Sequence, residues 1–422
     1  MRFKIAYIVF FVSILFYSSF RVVGPVTPRH IMTIVMFVMC INEDKKVYQD
    51  KYFRWYLLFI FCFGFSSLWT YYLDKFLTFL LAYFFVAYVA YWATMILIKK
   101  HNGTSVLVNT IVVLGILNAL TTIGQFYEIG IFNRIPEIMR INVSEDFLDL
   151  AEERDEFEGI SLPGLLSGAV SNGYFAMTAT LLSLWYQRNR FSFIRLIPWG
   201  IGMIGLYVTQ QRAPFFITTA LSLYIMFKVM GKNTGGLTLI IRLAFIVVAV
   251  FGVLYFLAYT SSSEMRYVKG FEDKSRVGLI QKTMEYLSQH ILLGGRFHSQ
   301  SMGVRPPHNL FLNAWLYGGI LGLFVIFGIT IKQVVLVAKQ TIGKQFLMDY
   351  SKTIFGLVFL AYTVNSMVHN QSIVTGDAVI WILWGAFQEE FVDDDEDEED
   401  EDEEDEDEED EEDPQPGQII IV

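Results

Sequence analysis

Cysteine is scarce in this chain, which has only two in 422 residues. Cys40 and Cys62 both lie within apolar runs, and no cysteines or histidines have the spacing of metal ligands. We therefore expect neither a disulfide nor a cysteine-bound metal. The first polar connection, RVVGPVTPRH, lacks a small-residue cleavage pattern, so we interpret the apolar run before it as a retained helix.

Motifs for nucleotides and nucleic acids are also missing. The sequence has no P-loop, no GxGxxG fingerprint, no repeat and no cytoplasmic segment large enough to bind a nucleotide. Hydrophobic residues, in contrast, make up 54% of the chain, which is too many for an ordinary soluble protein. The composition predicts an all-α polytopic membrane protein with the lipid bilayer as a partner and no nucleic-acid partner.

Twelve apolar runs are candidate membrane-spanning helices. They fall at roughly 4–20, 30–42, 54–72, 76–98, 104–126, 165–186, 193–209, 213–230, 237–259, 308–330, 350–368 and 374–388. Lys and Arg concentrate in alternate connections, and such residues favour the cytoplasmic side. The pattern predicts an even number of spans with both termini in the cytoplasm. The short outer turns carry only Arg21, Arg29, Lys75 and Arg212.

Three segments extend from this membrane body. Two long outer loops cover about 127–164 and 260–307, and the second contains a predicted amphipathic helix that ends at Gly294 and Gly295. The third segment is the tail after residue 390, in which positions 393–413 are 21 consecutive acids. Without these acids, the formal charge changes from −11 to +10. We therefore divide the chain into a basic membrane body, 1–390, and a disordered acidic tail, 391–422.

The stretch RPPHNLFLNAWLYGGILG places a histidine where an outer loop meets a membrane helix. Two prolines precede His308 and Asn309 and favour a helix start. A helix N-terminus attracts anions and favours the neutral imidazole, which can act as a general base. The alternative is an ordinary interfacial histidine that caps the helix. Asn309 could bind sugar hydroxyls, or it could pack against a neighbouring helix.

Basic residues surround this stretch on the predicted outer side. Arg212 lies in TQQRAPF, in an outer turn short enough to hold its guanidinium at the membrane edge. A bound anion would explain an arginine at this position, and so would contact with lipid phosphate. The second outer loop adds Arg266, Arg276 and Arg296. Guanidinium groups suit a diphosphate, although long loops also carry charge without function.

These motifs resemble those of the O-antigen ligase and O-antigen polymerase superfamily of bacterial membrane glycosyltransferases. HNLFLNAWLYGGILG is similar to that family's His-Asn motif, and SRVGLIQKTMEYLSQHILLGGRF is similar to its Arg-led amphipathic helix. TQQRAPF resembles its arginine at a helix start but departs from the usual Ser-Arg-Gly. LPGLLSGAVSNGYFAM resembles its Gly-rich helix start, with Asn172 at the usual asparagine.

The resemblance implies a GT-C-like fold and a multi-pass protein of the bacterial inner membrane with its active site facing the periplasm. It implies an undecaprenyl-diphosphate-linked glycan donor and an inverting transfer that needs no cofactor or metal. The first outer connection, RVVGPVTPRH, contains no Asp or Glu, which agrees with a transfer that needs no metal. His308 would activate the acceptor hydroxyl, while Arg212 and Arg276 would bind the diphosphate, with Arg266 and Arg296 as weaker candidates.

The motifs leave several functions open. A polymerase would join glycan repeat units, alone or with polysaccharide-assembly partners, whereas a ligase would transfer the glycan to lipid A core or to a protein. A lipid or solute transporter is a more distant alternative, because the sequence shows no inverted repeat and no ionisable pair at mid-membrane depth. A non-catalytic scaffold would leave the Arg and His positions unexplained. We expect glycosyl transfer, and polymerisation ahead of ligation.

Overall fold

The computed structural model describes residues 1–16, 27–43, 51–139, 162–166, 168–189, 191–230, 274–341, 349–369 and 372–388. This part of the chain is 83% helical and contains no strand, which confirms the all-α prediction. Its α-helices are α1 (Arg2–Phe16), α2 (Pro28–Glu43), α3 (Lys51–Trp69), α4 (Leu73–Phe79), α5 (Phe85–Lys99), α6 (Thr104–Phe126), α7 (Gly130–Met139), α8 (Ala169–Ser183), α9 (Ile197–Val208), α10 (Arg212–Met230), α11 (Lys274–Gln289), α12 (Arg296–Ser301), α13 (Leu310–Thr341), α14 (Tyr350–Asn365) and α15 (Ala378–Gln388).

Helices occupy eleven of the twelve predicted spans, and the twelfth, 237–259, lies outside the described residues. Among the described residues, three helical segments are long and apolar enough to cross a membrane: Leu73–Lys99 (α4 and α5 joined by a π-helical turn), α6 and α13. The outer surface of α13 exposes Leu321, Phe324, Phe327 and Ile331, which are 45–63% exposed. These residues recur at helical spacing, so α13 presents an apolar stripe outwards, as a helix in contact with lipid does.

The helix ends gather at two opposite ends of the bundle. At one end, Phe3 of α1 stacks on His101 after α5, and the Tyr350 hydroxyl of α14 donates to the Leu184 carbonyl after α8. Near the end of α15, Phe387 stacks on Phe359 in the middle of α14. We call the end that holds Phe3 and Tyr350 the basic end, because its connections carry the residues predicted to be cytoplasmic, among them Lys99, Lys100, Arg188, Arg195 and Lys228.

Helix α13 is broken near the opposite end, at Gly319, where φ is 66° and ψ is −166°. The loop after α11 fills the break: the Gly295 N–H donates to the Leu316 carbonyl, and the Ile320 N–H donates to the Ile291 carbonyl. A Cβ on Gly319 would lie 2.0 Å from the Leu292 carbonyl oxygen, so only glycine fits there. The break therefore fixes the second outer loop to the bundle.

The same stretch of α13 packs closely on α3. Gly318 and Gly322 both face the ring of Phe59, and Gly318 also faces Cys62. The two glycines are four positions apart, a spacing of small residues that lets helices approach closely. Cys40 and Cys62 are free and buried.

Candidate active site

A cavity of about 410 Å³ lies at the end of the bundle opposite the basic end. It is bounded by the end of α1, the first turn of α2, the π-helical turn between α4 and α5, the starts of α8 and α13, the end of α14 and the start of α15. This volume is within the range of about 300–1,000 Å³ typical of small-molecule sites. Six aromatic residues line the cavity: Phe79, Tyr83, Tyr174, Phe175, Tyr317 and Tyr362.

Arg29 brings a positive charge to this cavity from the first turn of α2. Its Nη2 donates to the Ala82 carbonyl at 3.1 Å, and its guanidinium lies 5.4 Å from the centre of the Tyr83 ring. Both partners belong to the π-helical turn Leu80–Phe84, a rare geometry that is common at functional sites. The Nε of Arg29 is buried and has no hydrogen-bond partner among the described residues. Arg29 is therefore held in place, and one of its N–H groups has no hydrogen-bond partner among the described residues.

Asp377 brings the opposite charge, directly before α15. Its Oδ1 accepts the Val379 N–H at 2.9 Å, as an N-cap carboxylate does, and the Tyr362 hydroxyl also donates to the carboxylate. The preceding Gly376 has a φ of 70° and lies against Tyr83, where a side chain would clash. Arg29 and Asp377 attract each other electrostatically, yet they form no ion pair within 4.0 Å among the described contacts.

Two histidines lie beside the cavity. The His369 ring is 5.9 Å from the ring of Tyr174, which lines the cavity, and 6.3 Å from the ring of His308. His308 itself is not among the described lining residues, although Pro306, two positions before it, is. His308 therefore lies at the cavity edge and is linked to the cavity wall through His369 and Tyr174.

The predicted position of His308 on the first turn of α13 is wrong by two residues. The helix begins at Leu310, because the Asn309 Oδ1 accepts the N–H groups of Phe311 and Leu312 and so caps it. Asn309 also donates through Nδ2 to the Met367 carbonyl at 3.3 Å. The amide of Asn309 thus has structural partners, and sugar binding by Asn309 stays a prediction.

Arg296 begins α12, and its guanidinium lies 5.6 Å from the ring centre of Tyr317, a cavity-lining residue. Its Nε and Nη1 are buried without hydrogen-bond partners among the described residues. An arginine buried in this way retains strong donors for an anion. Among the four predicted diphosphate arginines, Arg296 therefore has the clearest described connection to the cavity.

The loop that carries Arg296 is anchored by Tyr286 of α11. The Tyr286 hydroxyl lies 2.8 Å from the His298 Nδ1 and donates to the Gly295 carbonyl at 3.2 Å. Its ring stacks on His290 with 4.2 Å between ring centres. Burial raises the pKa of Tyr286 to about 12, and Tyr72 adds to the shift, so the hydroxyl stays neutral and able to donate at physiological pH.

Arg212 is the first residue of α10, as predicted. The turn before it is buried and polar: the Gln211 N–H donates to the Thr209 hydroxyl at 3.2 Å. Gln211 and Pro214 both lie against Gly173 of α8, one position before Tyr174. Arg212 is thus held near the helix start that contributes Tyr174 to the cavity wall.

Asn172 has a structural role at that helix start. Its Oδ1 accepts from the Asn118 Nδ2 at 2.6 Å, and its Nδ2 donates to the Leu162 carbonyl at 2.7 Å. Gln125 makes two further hydrogen bonds to the backbone of Gly164. This buried amide network fixes the segment before α8 on α6, and so positions Ser171 and Tyr174 at the cavity.

Two predicted arginines have no described side-chain geometry. Arg276 lies in the first turn of α11, within the predicted amphipathic helix, and Arg266 lies outside the described residues. The acidic part of the first outer loop and the acidic tail also lie outside them. Within the described part of the chain, no three His, Cys, Asp or Glu residues are grouped so that they could hold a metal ion.

Three polar groups at the site do not follow from the sequence: Arg29, which the sequence identifies only as a cation of a short outer turn, His369 and Asp377. One available signal is that Asp377 is the only acid between Asp349 and Glu389. Comparison with known proteins finds no matching family model, no similar curated protein and no similar solved structure.

Proposed function

We propose that this protein is a membrane glycosyltransferase that moves a glycan from an undecaprenyl-diphosphate-linked donor to a hydroxyl acceptor. In this proposal the chain has about twelve spans in a GT-C-like arrangement and lies in the bacterial inner membrane. Both termini are cytoplasmic, and the cavity faces the periplasm. Reporter fusions after Lys232 and within 261–300 should then lie on opposite sides of the membrane. If both fusions lie on the same side, this topology is wrong.

The observation that carries the proposal is the cavity, which has aromatic walls and the Arg29 guanidinium, with the imidazoles of His369 and His308 behind its wall residue Tyr174. His308 lies at its edge and Arg296 lies over one of its wall residues, and both are residues that the family resemblance selects. The cavity is also at the end of the bundle opposite the basic end, which is the side predicted to face outwards. An outward-facing site is where a translocated lipid-linked glycan is accessible.

In the proposed reaction, the acceptor hydroxyl attacks the anomeric carbon of the donor sugar. His308 takes the hydroxyl proton as the new carbon–oxygen bond forms. The bond from the anomeric carbon to the diphosphate oxygen breaks, and the lipid diphosphate leaves with its electron pair. Attack opposite the leaving group inverts the anomeric centre. Arg212, Arg276 and Arg296 would stabilise the charge on the departing diphosphate, with Arg266 as a further candidate.

Polymerisation of surface polysaccharide repeat units is the form of this reaction that we favour, and ligation to lipid A core or to a protein is the alternative. Deletion of the gene distinguishes them. A polymerase mutant keeps a single repeat unit attached to its acceptor but loses long chains. A ligase mutant loses all attachment. Unchanged surface glycans in the deletion strain would contradict both forms of the proposal.

The break in α13 is a feature that favours a transporter, because broken helices line many transport sites. Here, however, the loop backbone uses the Leu316 carbonyl and the Ile320 N–H that the break exposes. Those groups are then not available for an ion or substrate. Solute uptake by proteoliposomes that contain the purified protein would favour the transporter over the enzyme.

A further inference from the structure

We propose that Arg29 and Asp377 form a clamp that binds a sugar ring of the glycan, separate from the arginines that bind the diphosphate. This inference rests on the proposed function and adds to it the site at which the glycan is recognised. Neither residue belongs to the motifs that suggest the function. Both line the cavity, and they arrive from elements distant in sequence, α2 and the start of α15.

The charges in the cavity favour a neutral, hydroxyl-rich group over an anion. A phosphate near Arg29 would also lie near Asp377, whose carboxylate repels it and offsets the attraction of the guanidinium. A sugar hydroxyl both donates and accepts, so one ring can accept from Arg29 and donate to Asp377. Hydrogen bonds to charged groups are stronger than those between neutral groups.

The walls of the cavity offer aromatic contact area. Tyr83 lies beside Arg29, and its ring stacks on that of Phe79 at 4.6 Å. On another wall, the rings of Tyr174 and Tyr362 are 4.4 Å apart, and the Tyr362 hydroxyl donates to Asp377. Pockets of this kind use aromatic surface for contact area and a few fixed polar groups for orientation.

The clamp residues are held by the backbone around them, as a specificity site requires. Arg29 is fixed by the Ala82 carbonyl, and Asp377 by its own helix N-terminus. The Tyr56 hydroxyl donates to the Ile373 carbonyl at 2.8 Å and so anchors the turn that precedes Asp377. The Arg29 Nε is buried and has no hydrogen-bond partner among the described residues, and the Arg29 side chain lines the cavity.

The test compares two probes on purified protein in detergent. One is the lipid-linked glycan pool extracted from a strain that lacks the gene, and the other is undecaprenyl diphosphate, which carries no sugar. The variants are Asp377→Asn, which keeps an N-cap residue, and Arg29→Lys, which keeps the charge but loses the planar fork. Both should weaken glycan-lipid binding by about 10- to 100-fold and leave binding of the sugar-free lipid within about twofold.

Matched controls come from the basic end. Asp349 also caps a helix, α14, through the Lys352 N–H, and Arg195 also donates to a carbonyl, that of Tyr186 at 3.2 Å. Asp349→Asn and Arg195→Lys should leave both affinities unchanged. Equal losses for both probes in the Arg29 and Asp377 variants, or no loss for either, would overturn the clamp. Wild-type protein that binds neither probe would overturn the proposed function instead.

Discussion

The two ends of the helical bundle differ in what their polar groups do. At the basic end, polar side chains pair with neighbouring helix ends: the Tyr350 hydroxyl donates to Leu184, the Trp185 indole donates to Ser351, and the Tyr224 hydroxyl donates to Thr341. At the cavity end, Arg29 and Arg296 have buried nitrogens without hydrogen-bond partners among the described residues.

This difference distinguishes polar groups that stabilise the fold from polar groups that are kept for function. A buried donor without a partner costs about 1–3 kcal/mol, so a fold does not gain stability from it. At the cavity end this cost falls on the guanidinium groups of two arginines that lie beside aromatic rings. At the basic end it falls on single atoms of His101 and Gln340, next to hydrogen bonds that join helices. We therefore expect substitutions at the cavity end to change activity and substitutions at the basic end to change stability. The predictions below test that division.

The largest effect should come from His308→Ala. Loss of a general base typically lowers turnover by about 10²–10⁴-fold. Because His308 precedes α13 and its neighbour Asn309 supplies the cap, the fold should be retained. Transfer rate per folded protein is the measurement, with donor binding measured in parallel. His101→Ala at the basic end is the matched control and should keep its activity.

Arg296→Ala should weaken donor binding by about 10- to 100-fold, because a guanidinium that contacts a phosphate makes strong charged hydrogen bonds. Arg212→Ala and Arg276→Ala should weaken it similarly. Arg→Lys at each position should also impair binding, since ammonium cannot make the paired contact. Binding of undecaprenyl diphosphate in detergent tests each variant, and an unchanged affinity would remove that arginine from the diphosphate site.

Much of this account follows from the sequence, and the parts that do not have physical reasons. The helix positions follow from hydrophobic runs of sufficient length, and the Gly318 and Gly322 contact follows from their spacing. The break at Gly319 does not, because it depends on the loop backbone that packs against it. Likewise, Arg29 and Asp377 are about 350 positions apart. Only the packing of α2 and α15 around the π-helical turn brings them to one cavity.

Tyr350→Phe should show the opposite behaviour to the cavity variants. Without its hydroxyl, the buried Leu184 carbonyl loses its donor, and the free energy of unfolding should fall by about 1–3 kcal/mol. Transfer rate per folded protein should stay within about twofold of wild type. Unfolding in mixed micelles measures the first quantity. A large loss of activity at unchanged stability would contradict the division between the two ends.

The smallest effect should come from truncation after Glu390. The removed segment contains the 21 consecutive acids, and such a run self-repels and has no apolar surface to dock on the body. Activity per folded protein should be close to that of the full chain. A drop of more than about tenfold would show that the tail takes part in catalysis, contrary to what its composition predicts.

The most direct test of the central claim is the initial transfer rate against pH for wild type and His308→Gln. Glutamine keeps the size and a hydrogen-bond acceptor but cannot take the proton. We predict that the wild-type rate falls towards acidic pH, because a protonated imidazole cannot take the proton of the acceptor hydroxyl. The His308→Gln rate should be low and without that step, while donor binding is retained. Near-wild-type turnover in His308→Gln would falsify the general-base assignment.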